Sequence, residues 1–183
     1  STYPVYVFTV SAPLRALRSL NAVASISNSP GYAVTVAMKR TLSVTFSSPS
    51  KKGRTIFGEL VPFGKVWRTG ANEPTRFRTA TALVVGGQTL PAGEYSLWTI
   101  PGQTQWTVIF NREIPDWGAT LLSGGKEATR NPESDVLQIN VPVENLPQVV
   151  EDFDISFVSP DAGNTVFLEF RWDTTRVRVP LNS

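Results

Sequence analysis

The chain contains no histidine and no cysteine. Without an imidazole or a thiol it cannot form a Ser–His or Cys–His nucleophile pair, a thiolate redox centre, or a zinc site built from nitrogen and sulfur ligands. Disulfides are excluded too, so stability must come from a hydrophobic core, which a chain of 183 residues is long enough to bury. The D-x-[DN]-x-[DN]-G calcium loop is also missing. We therefore expect no metal site and no cofactor.

The chain has no long apolar run. A helix that crosses a bilayer needs roughly 20 apolar residues in a row, and no run approaches that length, so we expect no membrane span. The first 30 residues contain a short apolar run, "VYVFTV", and small residues, "AVAS", that are typical of a secretory signal. A basic leader before that run is missing. We therefore expect residues 1–30 to be a retained N-terminal extension, with a strand near residues 4–10 and a short helix within residues 12–22.

The net charge of +2 conceals an uneven distribution. Residues 1–58 carry seven basic side chains and no acidic one, whereas residues 59–183 carry ten basic and fifteen acidic ones. The pattern predicts a basic N-terminal arm that binds a partner protein or a neighbouring copy of the chain. A chance excess spread over loops and strand edges explains it equally well. The basic residues are scattered and accompany no nucleic-acid-reading motif, so we expect no nucleic-acid partner.

From residue 31 onward apolar and polar residues alternate, which is typical of half-buried antiparallel strands. The clearest alternations place together Val34, Val36 and Met38; Leu42, Val44 and Phe46; Leu137, Ile139, Val141 and Val143; Phe153, Ile155 and Phe157; Val166, Leu168, Phe170 and Trp172; and Val177, Val179 and Leu181.

Turn residues divide these runs into strands. Gly86-Gly87 predicts a tight hairpin turn, and Asp173-Thr174-Thr175 predicts a turn that closes the last hairpin. Outside the extension, helical turns are expected only around residues 56–60 or 144–150. Nine or ten short strands at this spacing predict one all-β domain over residues 31–183, an antiparallel β-sandwich of Greek-key or jelly-roll type.

Two patterns that support catalysis without histidine are weak in this chain. Ser-x-x-Lys occurs at Ser48–Lys51 and at Ser123–Lys126, but both copies lie in predicted loops, where the lysine should stay solvated and charged. Asp152 and Asp154 alternate along one predicted strand, whereas a glycosidase needs two carboxyl groups that face each other across a cleft. We assign no catalytic residue.

The stretch "KVWRTGANEPT" concentrates polar chemistry around one glycine turn. Its candidate ligand-binding residues are Lys65, Trp67, Arg68, Asn72 and Glu73. In a structural clamp, Arg68 would pair with Glu73, and Trp67 would cover the guanidinium. In a ligand site, the same groups would bind a carboxylate, a phosphate or a sugar hydroxyl. The residues leave both interpretations open.

The five tryptophans could offer a stacking surface for sugars, although an indole at a strand position is more often part of the core. Trp117, in the loop "IPDWGAT", is the best candidate for an exposed indole. We therefore add Trp117 to the candidate ligand-binding residues.

Several motifs together are characteristic: "SPSKKGRTIFGELVPFGKVWRTGANEPTRF", "VGGQTLPAGEYSLWTIPG", "WTVIFN", "DWGA" and "DVLQINV". Their combination resembles the bacterial family known as domain of unknown function 2911, over about residues 30–181. The resemblance implies an all-β domain and export to the periplasm or the cell surface, and it implies no activity. The chain departs from the usual pattern in its first 30 residues and in the loop after Trp117.

Three functions are consistent with these features. The first is a non-catalytic structural or interaction module, acting as an accessory subunit of a larger assembly. The second is a carbohydrate or small-anion binding domain, and the third is a histidine-free hydrolase or lyase that uses carboxylates. The orientation of the side chains of residues 65–75, toward solvent or toward the interior, discriminates between the first two.

Overall fold

The computed structural model describes residues 3–11, 41–119, 127–160 and 165–182. Several expectations lie outside these residues: the helix within residues 12–22, the alternation that begins at Val34, and the Ser123–Lys126 pair. Four of the seven basic residues of the predicted arm also lie outside them, namely Arg15, Arg18, Lys39 and Arg40.

The described residues form ten β-strands and one short 3-10 turn. The strands are β1 Val5–Ser11, β2 Thr41–Ser47, β3 Thr75–Thr79, β4 Leu83–Val85, β5 Gln88–Leu90, β6 Gly93–Ile100, β7 Gln105–Asn111, β8 Asp135–Pro142, β9 Glu144–Val158 and β10 Val166–Leu181. The 3-10 turn is Pro132–Ser134. All strand pairs are antiparallel, and the all-β prediction is confirmed.

Six strands make the large sheet, in the order β1-β2-β3-β6-β7-β8. The small β4–β5 hairpin pairs Val85 with Gln88 across the predicted Gly86-Gly87 turn. Both glycines have positive φ, 56° and 78°, as a tight two-residue hairpin turn requires. The N-terminal strand predicted near residues 4–10 is β1, which lies at one edge of the large sheet.

The long hairpin of β9 and β10 corrects two predictions. Residues 144–150 belong to β9 and form no helical turn. Asp173-Thr174-Thr175 does not close a hairpin, because β10 continues through it to Leu181. Asp173 instead marks an irregularity: its φ is 55°, and the register with β9 shifts on both sides of it. Since β9 is long enough to keep pairing, turn-prone residues here produce a bulge rather than a reversal.

Residues 56–60 also form no helix. They make a tight loop in which Gly58 N donates to Val61 O at 2.9 Å and Val61 N donates to Ile56 O at 2.9 Å. In the described part of the chain, no helix is long and apolar enough to span a membrane.

The core lies between the large sheet and the long hairpin, in a sandwich-like arrangement. Aromatic rings meet across this gap: Phe46 packs edge-on against Phe153 at 5.8 Å between ring centroids, and Phe77 lies 6.4 Å from Phe157. The alternations that predicted one-sided strands supply most of the core, including Leu42, Val44, Leu137, Val141, Ile155, Leu168, Phe170, Val177, Val179 and Leu181. Two members of the predicted β8 set, Ile139 and Val143, are only partly buried against it.

A polar network ties β7 to the chain that precedes β8. Asn111 is buried and donates to Asp135 Oδ1 at 2.8 Å, while Arg130 forms two hydrogen bonds with the same carboxylate, at 3.0 and 2.6 Å. Burial alone would raise the pKa of Asp135, but hydrogen bonds from Arg130, Asn111 and Gln138 outweigh it and hold that pKa below its usual value. The charged carboxylate is therefore the form that the folded protein stabilises.

We predict that Asp135→Asn lowers the free energy of unfolding at pH 7 by about 1–3 kcal/mol, because it removes charge-assisted hydrogen bonds. A depressed pKa contributes stability that is present above the unfolded-state pKa and is lost as pH falls through the folded-state value, so the wild type should lose this increment below about pH 4. Urea unfolding from pH 7 to pH 2.5 measures both effects. The control is Glu94→Gln, at an exposed position of β6, and equal acid sensitivity of wild type and Asp135→Asn would contradict the prediction.

Candidate functional site

The corner segment, residues 65–75, is fastened across the ends of two strands of the large sheet. Trp67 and Thr99 of β6 form an antiparallel bridge, with Trp67 N donating to Thr99 O at 2.7 Å and Thr99 N to Trp67 O at 3.0 Å. Ala71 N donates to Ser47 O, at the end of β2, at 3.2 Å. Backbone hydrogen bonds on both sides therefore fix the position of the turn between them.

The turn itself is strained. Thr69 has a φ of 60°, which is costly for a β-branched residue, on the order of 1–3 kcal/mol. It is fully buried, and its hydroxyl lies 3.0 Å from that of Thr99 while its carbonyl accepts from Thr75 Oγ1 at 2.6 Å. The surroundings thus hold a conformation that the residue alone would avoid. Strain of this kind often accompanies functional sites.

Gly70 and Asn72 complete the turn. Gly70 has a φ of 151°, and a Cβ there would lie 2.7 Å from Ser47 O, so no side chain fits. Asn72 has a φ of 59°, as its predicted tolerance of positive φ allows. Its carbonyl accepts a hydrogen bond from Gly118 N at 3.1 Å, which brings the loop after Trp117 against the corner segment.

A cavity of about 700 Å³ opens beside the corner segment. Aromatic and apolar side chains form much of its lining, among them Tyr3, Leu60, Val61, Val66, Trp67 and Trp172. The charged residues that line it are Arg54, Glu59, Lys65, Arg68 and Glu127. The site therefore combines a hydrophobic lining with both signs of charge.

Arg68 is aimed by the packing of its aliphatic stem. A Cβ on Gly118 would lie 2.5 Å from Arg68 Cδ and 2.8 Å from its Cβ, so the arginine side chain runs directly over the glycine. Only a residue without a side chain permits this approach. Gly118 therefore sets the path of Arg68 along the cavity wall.

The guanidinium of Arg68 has no hydrogen-bond partner among the described residues. Its Nε is enclosed and unsatisfied, and the side chain as a whole is half-buried. Burial lowers the pKa of Arg68, and an electrostatic interaction with Tyr3 offsets part of that effect. An arginine nonetheless remains protonated in proteins, so a positive charge with unused donors lies at the cavity wall.

The predicted clamp does not form. Among the ion pairs of the described residues none joins Arg68 to Glu73, whose side chain is exposed. Trp67 does not cover the guanidinium either, because its ring stacks at 6.0 Å and 16° on Trp172 and lies 4.9 Å from Phe153. Its indole nitrogen donates to Gly70 O at 3.2 Å. Trp67 thus anchors the corner segment to the aromatic core.

The structure brings some of the predicted ligand-binding residues together and not others. Lys65, Trp67 and Arg68 line the cavity, whereas Asn72 and Glu73 do not. Trp117 is 47% exposed, as predicted, but it does not line the cavity; the next residue, Gly118, does.

Sequence reasoning missed several cavity residues because they come from distant parts of the chain. Tyr3 precedes β1, and Trp172 lies in β10. Arg54 is held by hydrogen bonds from its Nε to Lys51 O at 2.9 Å and from its Nη2 to Ser50 O at 2.6 Å. In the sequence, Arg54 stands out only as part of the "KKGRTIFG" motif, and that motif does not indicate that Arg54 lines the same cavity as Arg68.

The weak catalytic patterns are used structurally. Ser48 Oγ donates to Phe153 O at 2.6 Å, and Lys51 Nζ pairs with Asp173 at 2.8 Å, so the two make no nucleophile–base pair. Asp154 pairs with Arg171 at 2.7 Å. In the described ranges no three acidic side chains converge on a point that could hold a metal ion. The guanidinium of Arg68, by contrast, keeps donors that could bind an anion.

Comparison with known proteins gives a family and no more. No curated protein and no solved structure matches the chain. A family model described as "Protein of unknown function (DUF2911)" matches residues 29–181, which include the corner segment and most of the cavity lining. The chain therefore belongs to the DUF2911 family.

Proposed function

We propose that this domain binds a small organic anion in the cavity beside the corner segment, with Arg68 as the principal contact. The observation that carries the proposal is the half-buried guanidinium of Arg68, which has no partner among the described residues and lies at the wall of a cavity of about 700 Å³. Burying a charge without a partner is costly. A carboxylate or phosphate oxygen from a ligand would supply charge-assisted hydrogen bonds that the protein does not.

The size and lining of the cavity favour an organic ligand over an inorganic ion. A volume of about 700 Å³ is within the range of small-molecule sites and far larger than a phosphate ion needs. Apolar side chains such as Val61 and Val66 would contact the body of the ligand. Its anionic group would lie at Arg68, with Arg54 and Lys65 adding positive charge nearby.

Glu59 at the same cavity suits a ligand that also carries hydroxyl groups. A carboxylate accepts hydrogen bonds from hydroxyl groups and repels a second anionic group. An acidic sugar combines both features, and it is one arm of the test below. The structural or interaction module remains the competing proposal, and it makes the opposite prediction for Arg68.

We predict that Arg68→Gln lowers the affinity for the anion at least tenfold, because a charged hydrogen bond is worth roughly 1.5–3 kcal/mol. The free energy of unfolding should stay within about 1 kcal/mol of the wild type or rise, since the unpaired buried charge is removed. Titration calorimetry with D-glucuronate, phenylacetate, citrate and phosphate measures the affinity, and urea unfolding measures the stability.

The matched control for Arg68→Gln is Arg78→Gln, which removes the same charge from an exposed position of β3. It should leave both the affinity and the stability unchanged. A loss of several kcal/mol of stability in Arg68→Gln, together with no binding of any anion by the wild type, would favour the structural module instead.

We further predict that Gly118→Ala weakens anion binding without altering any charge, because the new methyl group would displace the Arg68 stem. Overpacking of this kind costs about 1–3 kcal/mol of stability. In an Arg68→Ala background, which removes Cδ but keeps Cβ, the same substitution should cost less, and the cost that remains comes from Arg68 Cβ and from Asn72 O, 2.8 and 2.9 Å from the added methyl group. A double-mutant cycle in urea measures the difference. Additive stability effects would contradict the contact between Gly118 and Arg68 as the cause.

A further inference from the structure

The N-terminal strand contributes a wall of the proposed site. Tyr3, two residues before β1, lines the cavity together with Arg68 and is half-buried. It lies outside residues 29–181, the part of the chain that matches the family model. The cavity is therefore composite, with most of its lining inside the family match and one aromatic residue outside it.

Backbone hydrogen bonds connect Tyr3 to the corner segment through the end of β2. Ser48 N donates to Pro4 O at 2.9 Å, and Val5 pairs with Ser47 in the β1–β2 register. Ser47 O in turn accepts from Ala71 N at 3.2 Å. Ser47, the last residue of β2, and the following Ser48 thus hold the start of β1 on one side and the turn that carries Arg68 on the other.

We propose that Tyr3 is a specificity-determining residue of this site and selects oxyanions, an inference that rests on the proposed function. Its phenol hydroxyl donates a hydrogen bond to one oxygen of the ligand's carboxylate or phosphate group, while Arg68 donates to another. Its ring covers the ligand and limits access of water to the guanidinium. A carboxylate or phosphate group presents a separate oxygen to each of the two donors, which a single spherical halide ion does not.

The hydroxyl is tested by Tyr3→Phe, which keeps the ring. We expect oxyanion affinity to fall roughly 5–10-fold, the effect of one lost hydrogen bond. The control is Tyr6→Phe, which removes a hydroxyl from β1, the strand that follows Tyr3. The Tyr6 ring packs against Phe8 and Phe46, and Tyr6 is not among the cavity residues. Tyr6→Phe should change the affinity by less than about twofold.

The ring is tested without any ligand by Tyr3→Ala and the reagent phenylglyoxal, which modifies accessible guanidinium groups. Mass spectrometry should show Arg68 modified several-fold faster in Tyr3→Ala than in the wild type, with the rate at exposed Arg78 unchanged as an internal reference.

The outcomes separate the two proposals. If an oxyanion binds the wild type and depends on Arg68, but Tyr3→Phe has no effect, the inference about Tyr3 fails and the proposed function stands. Equal losses in Tyr3→Phe and Tyr6→Phe would assign the effect to the strand rather than to the hydroxyl, and would also overturn it. If no anion binds the wild type, both proposals fail. Separately, if phenylglyoxal modifies Arg68 at the same rate in Tyr3→Ala as in the wild type, the Tyr3 ring does not cover the guanidinium.

Discussion

A guanidinium that leaves water must regain its hydrogen bonds inside the protein, or the burial costs free energy. Arg68 regains none from the described residues, and its enclosed Nε is unsatisfied. Several other charged groups have partners: Arg130 pairs with Asp135, Arg171 with Asp154 and Lys51 with Asp173. Arg171 Nε is also buried without a hydrogen bond, but it lies 3.3 Å from the carboxylate of Glu169. Arg68 differs from these groups because it has no ion pair among the described residues, and this difference is the basis of the proposed anion site.

Further local costs gather at the same corner. Thr69 is held at positive φ. Gly70 packs against Ser47 O with no room for a side chain, and the lack of a side chain at Gly118 lets Arg68 lie over it. Each feature opposes a local preference for stability, and all of them lie close to Arg68 in the chain or in contact with it. Natural proteins retain such costs mainly where function requires them. The aromatic core beneath, with Trp67 stacked on Trp172, provides the rigidity that holds this arrangement.

Most of the fold could be predicted from alternation alone, because a strand buried on one face must repeat its apolar residues every second position. The error at Asp173 has a simple cause. Asp favours turns, but Thr is common in strands, and the pairing of β10 with the similarly long β9 outweighs the preference of Asp173 and turns the expected reversal into a bulge. Of the candidate ligand-binding residues, Lys65, Trp67 and Arg68 line the cavity, and their part in binding stays a prediction. The Arg68–Glu73 pair does not form among the described residues, and the sequence did not indicate that Tyr3 and Trp172 line the same cavity.

The sequence by itself determined what the protein cannot use, since the lack of histidine and cysteine rules out whole classes of chemistry wherever the chain folds. It also determined the all-β class, because periodicity is a local property of the chain. Only the tertiary structure decided that Arg68 lies beside a cavity and has no partner within the described part of the chain. Whether a charge is paired depends on groups that are distant in sequence. Here those groups lie just before β1, directly after Trp117 and in β10. The spacing of side chains along one segment carries no information about such distant groups.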